Sequence, residues 1–99
     1  MNLPVILSPA ADREFEAAAE WYENQQAGLG TRFVNQVQDT LDRIGHDPEL
    51  HAVVYKDLRR ALVIKSPYNI FYRALADRVE VIAIVHGHRD PSVWQSRAY

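Results

Sequence analysis

His86, His88, Arg89, Arg73 and Lys65 are the residues of this 99-residue chain whose types and spacing can do chemistry. Cleaving RNA through its own 2′-hydroxyl requires a base for that proton, an acid for the departing 5′-oxygen and a cation for the phosphorane charge. Histidine, arginine and lysine supply all three. On a regular strand Ile82, Ile84, His86 and His88 share one parity, and Arg73 shares that of Phe71 on the strand before, so His88, Arg73, Arg89 and Lys65 are expected to approach one phosphate. The same residues have structural readings. Gly87 marks a bulge or a strand end, which breaks the parity. His86 suits a strand end where its ring bonds to backbone, Arg73 serves equally well in an ion pair, and Asp90 reads as a helix cap.

Around this cluster stand further candidates for a contact surface. Arg59 and Arg60 face opposite sides of a strand, so at most one belongs to any single surface, and Arg60 is carried forward. Trp94 and Arg97 follow the cluster, with the Arg97 stem expected to pack over Trp94. Tyr68, Phe71 and Tyr72 read as sheet core, and Trp21 and Tyr22 as closing a helical hairpin. The sequence has no glycine-rich phosphate loop, no HExxH and no GxSxG, and His46 and His51 sit across Pro48 without a cysteine nearby. No cofactor and no metal is expected.

The elements that must position these residues follow from periodicity. Leu3 to Leu7 is an apolar, β-branched run that Pro4 confines to a sheet edge. Ser8 before Pro9 gives a helix N-cap, and Ala11, Phe15, Ala18, Ala19 and Tyr22 form one apolar stripe to about Glu23. A second helix starts near Leu29 with Phe33, Val37, Leu41 and Ile44 on its stripe; Gly45 is expected as its left-handed cap, with Pro48 preventing continuation. Strands are expected at Ala52–Lys56, Leu58–Lys65, Tyr68–Leu75 and Val79–His86, the last two joined by a hairpin turn. In the final strand Val81, Ala83 and Val85 fall on one face and Ile82 and Ile84 on the other, as in a central strand. Asp90 before Pro91 announces a short terminal helix through Trp94. The expected architecture is α+β, in the order β-α-α-β-β-β-β, with a helical hairpin on one face of a mainly antiparallel sheet and the other face comparatively open.

Size and composition allow one domain, residues 1–99, with one core. Without cysteine the fold rests on packing alone, and with no apolar run of membrane-spanning length or signal peptide a cytoplasmic protein with no membrane partner is expected. The net charge of −2 conceals a division: residues 1–50 carry three Arg and nine acids, residues 51–99 eight Lys or Arg and four acids. The halves therefore face different surroundings.

SPAADREFEAAAEWYE, GLGTRFVNQVQDTLDRIGHDP, SPYNIFYRA, VEVIAIVHGHRDP and the W..R ending, in that order and spacing, resemble the RelE/ParE superfamily of type II toxin–antitoxin toxins, also described as plasmid stabilisation proteins. The resemblance implies a toxin neutralised by a cognate antitoxin, which itself carries the DNA-binding domain, so no direct DNA binding is expected of the toxin alone. PY.I.Y and H..RDP..W look ParE-like, which implies a non-enzymatic inhibitor of DNA gyrase with Arg60, Arg73, His86, His88, Arg89, Trp94 and Arg97 on the contact surface. The alternative is a RelE-like endoribonuclease cutting mRNA in the ribosome, with His88 transferring protons, Arg73 and Arg89 stabilising phosphate and Lys65 assisting. A pI near 6.0 and two lysines weigh against binding ribosomal RNA. A third reading is a small protein-binding module without toxicity.

Overall fold

The structure is a computed structural model that describes residues 2–99. Helix α1 (Pro9–Gln25) begins where expected: the Ser8 hydroxyl accepts from the Ala11 N–H at 3.1 Å, and Pro9 fills the first helical position. Helix α2 (Leu29–His46) starts at Gly28, whose φ of +94° suits glycine. Gly28 has no side chain to cap with, so the cap comes from α1. The Glu23 carboxylate accepts from the Gly28 N–H at 3.0 and 3.1 Å and from the Gly30 N–H at 2.9 Å, placing negative charge at the start of the helix. Gly45 is not the left-handed cap expected of it. It lies within α2, where a Cβ would stand 3.0 Å from the Leu3 carbonyl oxygen and 3.1 Å from Val5 Cγ2, so glycine there admits the N-terminal strand.

The sheet has five strands in the order β1-β5-β4-β3-β2. They are β1 (Val5–Leu7), β2 (Val53–Tyr55), β3 (Leu58–Leu62), β4 (Tyr68–Ala74) and β5 (Val79–His86). β1 is the edge strand that Pro4 requires and pairs parallel to β5; the other pairs are antiparallel. β3 ends before Lys65, which takes a positive φ of 59° in the turn where Val63 and Ser66 bond.

β5 does not alternate regularly. Phe71 pairs with Ala83 and Tyr72 with Val81, which leaves Ile82 as an extra residue in a bulge. The faces exchange there: Val79, Val81 and Ile84 pack toward the helices, whereas Ile82, Ala83 and Val85 pack on the opposite side. The expected grouping of Val81 with Val85, and of Ile82 with Ile84, is thereby corrected.

On the helix side Phe33, Val37, Leu41 and Ile44 meet Ala61, Val63, Ile70, Tyr72, Val79 and Val81. Each large side chain buried there contributes roughly 1.5–3 kcal/mol. The other face is less open than the sequence suggests. Helix α3 (Ser92–Gln95), with Pro91 and not the expected Asp90 at its N-cap and Asp90 Oδ1 accepting from the Ser92 N–H at 3.0 Å, lays Trp94 on Phe71 with ring centroids 3.9 Å apart, and Ala98 beyond it packs against the same cluster. Among the described residues no helix is long and apolar enough to cross a membrane.

The loop after α2 is pinned from the sheet. The Tyr72 hydroxyl donates to the Pro48 carbonyl at 2.8 Å and lies 3.2 Å from His51 Nδ1, while Arg59 Nη1 donates to the His51 carbonyl at 2.7 Å. Since the hydroxyl proton goes to Pro48, Nδ1 is the donor to Tyr72 and Nε2 is bare in the neutral ring. Burial lowers the His51 pKa from its ordinary 6.5, against the raising effect of Asp47. The unfolded chain therefore takes up this proton first on acidification. His51 contributes its full stability above about pH 6.5 and loses it as the pH falls further. Urea midpoints measured between pH 7.5 and 5 are expected to decline, and His51→Gln to flatten that decline.

Candidate target-binding rim

The pairing of Tyr68 with His86 brings the C-terminal end of β5 and the β3–β4 turn to one end of the sheet. His86 is half-buried there, its ring centroid 5.5 Å from that of Tyr68 and 5.1 Å from that of His88. His86 Nδ1 accepts from the His88 N–H at 3.0 Å, so a neutral His86 carries its proton on Nε2. Its carbonyl accepts from the Arg89 N–H at 2.9 Å, closing a turn over residues 86–89. Gly87 is the point of that turn, not a bulge. Its N–H donates to the Pro67 carbonyl at 2.7 Å, and a Cβ would stand 3.1 Å from the same oxygen.

His88 and Arg89 project as exposed side chains, and among the described residues neither enters a side-chain hydrogen bond or salt bridge. A groove of about 310 Å³ runs from Arg89 between β5 and α1, floored by Ala17 and Ala18 and walled by Tyr68, His86, Arg89 and Trp21. Trp21 is 56% exposed, so it lines this groove rather than closing the hairpin; Tyr22 does that, stacked on Phe33 at 4.9 Å. Lys65 lies at the same end of the sheet, exposed in its turn.

Arg73 is not at this rim. It pairs with Glu80 at the beginning of β5, and the six residues to His86 put it about 20 Å away. Arg73 is 5% exposed. Its Nε donates to Asp57 at 2.7 Å, Nη1 to Glu80 at 3.4 Å and Nη2 to the Arg97 carbonyl at 3.2 Å, and the Tyr99 ring lies 4.0 Å below the guanidinium. Every nitrogen is engaged, so the shared phosphate site of Arg73 with His88, Arg89 and Lys65 does not form. Trp94 is 9% exposed and belongs to the second core. Arg97 does not rest over Trp94: Nη1 and Nη2 grip Glu14 at 3.0 Å each, and Nη1 also donates to the Ile82 carbonyl at 2.9 Å. Arg60 is exposed on β3, on the face away from the helices, while Arg59 turns to the loop carbonyls of Glu49 and His51.

The candidates thus separate into a clamp and a rim. Arg73, Trp94 and Arg97 hold the C-terminal segment on the sheet; His86, His88, Arg89 and Lys65 face solvent at one end. An exposed imidazole beside an exposed guanidinium can receive a carboxylate or phosphate. His46 and His51 diverge, one facing Asn2 and the other Tyr72, and no cluster of three metal-ligating side chains occurs among the described residues.

Over residues 5–91 the sequence matches the family described as ParE toxin of type II toxin-antitoxin system, parDE. The chain belongs to this ParE toxin family. No curated protein matches it. Among solved structures, the chromosomal ParDE TA system from P. aeruginosa contains a chain of the same fold, with a TM-score of 0.64 at 11% identity over 85% of this chain and 95% of that one.

Within this ParE-family chain, the residues that sequence reading missed are mostly partners of arginine. The Glu14 carboxylate on α1 binds Arg97 and accepts from the Ile84 N–H at 3.2 Å. A signal was present: Glu14 lies three after Ala11 and four before Ala18, on the apolar stripe itself. Asp57, Glu80 and Tyr99 carry no such signal, because their partner is distant in sequence. Burial pushes the Asp57 carboxyl up, but the Arg73 hydrogen bond, main-chain hydrogen bonds and the Arg73 charge together outweigh it and hold the pKa below the ordinary carboxylate value. Its stabilising contribution is present above about pH 4 and lost as the pH falls through the folded-state pKa. Because Asp57 and Glu80 are part-exposed, Arg73→Met is expected to cost about 2–3 kcal/mol, below the figure for a fully buried pair. Denaturant melts at pH 7 and pH 3 check both: the variant loses stability at neutral pH, and its melts lose the Asp57 step.

Proposed function

We propose that this chain is the toxin of a type II pair that arrests growth by inhibiting DNA gyrase, through the rim at the end of β5, and is neutralised by a cognate antitoxin. Membership of the ParE family supports a toxin, and the gyrase target rests on the ParE-like character of the sequence. The observation that carries the reading is the division of the cations. A ribonuclease of the kind outlined needs a proton-transferring histidine and phosphate-binding arginines around one phosphate, and Arg73 is enclosed about 20 Å from His86, where the rim begins. What remains at the rim is an exposed, rigidly based surface suited to gripping an acidic patch on another protein. An endoribonuclease resting on His88, Arg89 and Lys65 is the second reading, favoured by the adjacency of the first two. The third is a binding module without toxicity.

Expression without an antitoxin separates the three. Arrest with intact messages and an induced DNA-damage response is expected for gyrase; cut messages without that response indicate the nuclease, and unimpaired growth at confirmed soluble expression indicates the module. With purified gyrase, Arg89→Glu is expected to weaken inhibition of supercoiling at least tenfold, about 1.4 kcal/mol, at unchanged thermal stability because the side chain is exposed. Inhibition unchanged by Arg89→Glu and by His88→Ala would remove the rim from the interface. Conversely, His88→Ala leaving a measured RNA cleavage rate intact removes His88 from any nuclease mechanism.

A further inference from the structure

Beyond the end of β1 the outer flank of β5 is only partly occupied. Leu7 pairs with Val81, and the Ser8 N–H donates to the Val81 carbonyl before the chain leaves for α1. Further along β5, the parity of the ladder is fixed by β4. The Tyr68 carbonyl accepts from the Val63 N–H, so Asn69 faces its partner Val85, and Ile84 and His86 turn their main-chain groups outward. Two of these four groups are taken: the Ile84 N–H donates to Glu14, and the His86 carbonyl accepts from the Arg89 N–H. The Ile84 carbonyl and the His86 N–H are bonded to nothing among the described residues.

What is left open has a direction. An antiparallel neighbour exchanges bonds with the N–H and C=O of one residue, and Ile84 and His86 each have one of theirs occupied. A parallel neighbour sends one residue's N–H to the Ile84 carbonyl and receives the His86 N–H on that residue's own carbonyl. The open pair therefore fits one residue of a parallel strand opposite Val85, running the same way as β1 and leading toward the turn at His86 to Arg89. Val85 packs away from the helices and Ile84 toward them, so the side chains before and after the bonded residue face α1. There Ala17 and Ala18 leave room beside the exposed Trp21. The one acid in this groove, Glu14, has both oxygens on Arg97, which leaves the Arg89 charge uncompensated.

We propose that the rim holds its protein target through an extended segment added to β5 parallel to β1, with small apolar side chains on Ala17 and Ala18 and a carboxylate one or two residues further on at Arg89. This rests on the reading of the rim as a protein-binding surface and adds the direction and chemistry of what is bound. The main-chain bonds fix the direction, and Arg89 selects the charge at the leading end. A nucleic acid can meet Arg89 but has no amide to complete the open pair.

The test is an amide chemical-shift titration with an end-blocked peptide, Ser-Ala-Val-Ala-Glu-Glu-Ser-Ser, its Lys-Lys counterpart, its reversed sequence and a twelve-residue oligothymidylate. The acidic peptide is expected to shift residues 84–89 and the Ala17–Trp21 turn of α1 and to move the His86 amide proton downfield. It is expected to bind at least tenfold more tightly than the lysine or reversed peptide. N-methylation of its valine is expected to weaken binding at least tenfold, and of either alanine at most twofold, because only the valine N–H meets the Ile84 carbonyl. Ala17→Leu, at an exposed helix position, fills the floor and is expected to weaken binding at least tenfold at unchanged thermal stability. No shift at millimolar peptide, equal binding of the reversed or lysine peptide, indifference to valine N-methylation, equal binding of the oligonucleotide at these residues, or self-association through this flank in place of peptide binding would each overturn the assignment. If the peptide fails while Arg89→Glu still relieves gyrase inhibition, the strand addition is wrong and the rim reading stands. If inhibition survives both Arg89→Glu and His88→Ala, the rim reading fails and takes this inference with it.

Discussion

One extra residue in β5 governs the rest of the structure. A strand with a side-chain period of two can place either Val79 and Val81 or Ile84 toward the helices, but not both, unless the phase shifts between them. The Ile82 bulge makes that shift, so the strand feeds the helix-side core at each end. It also carries His86 to the α1 side, beside Ala17 and Trp21. The main-chain groups displaced at the bulge would be orphaned beyond the end of β1, and Arg97 and Glu14 satisfy them. Helix α1, strand β5 and the C-terminal segment thus meet at one ion pair.

That requirement explains why cations rich in the second half of the sequence do such different work. An arginine at 5% exposure survives only with its donors matched, and Arg73 finds two carboxylates, a carbonyl and an aromatic face. An arginine in the loop after β5 meets no such demand, and Arg89 stays in water. The excess positive charge of residues 51–99 is therefore partly internal. It neutralises Glu14, Asp57 and Glu80, leaving few cations for a target.

What could be read from the sequence were features set by neighbours along the chain. The Ser8 cap, both helical stripes, the hairpin between β4 and β5 and the edge position of β1 each rest on residues within a few places of one another, and each stands in the structure. The bulge, the Arg73 and Arg97 partners and the cover over the second face depend on contacts between remote segments, to which local periodicity is blind. Gly45 shows the same limit: a glycine near a helix end suggests a cap, but its reason here is the backbone of Leu3 pressing against it. An unpaired arginine and a clamped one look alike in sequence, so the exposed Arg89 does not stand apart there from the engaged Arg73 and Arg97.

β1 joins β5 across most of the chain, and it is the one parallel pairing among the described residues. Both helices and the β3–β4–β5 meander are built from nearer neighbours, whose closure costs less entropy. Assembly is accordingly expected to end with β1 docking between Gly45 and the flank of β5, and the same three residues to be released first by thermal fluctuation. Amide protons of Val79 and Val81 thereby report a partial opening that leaves the meander intact.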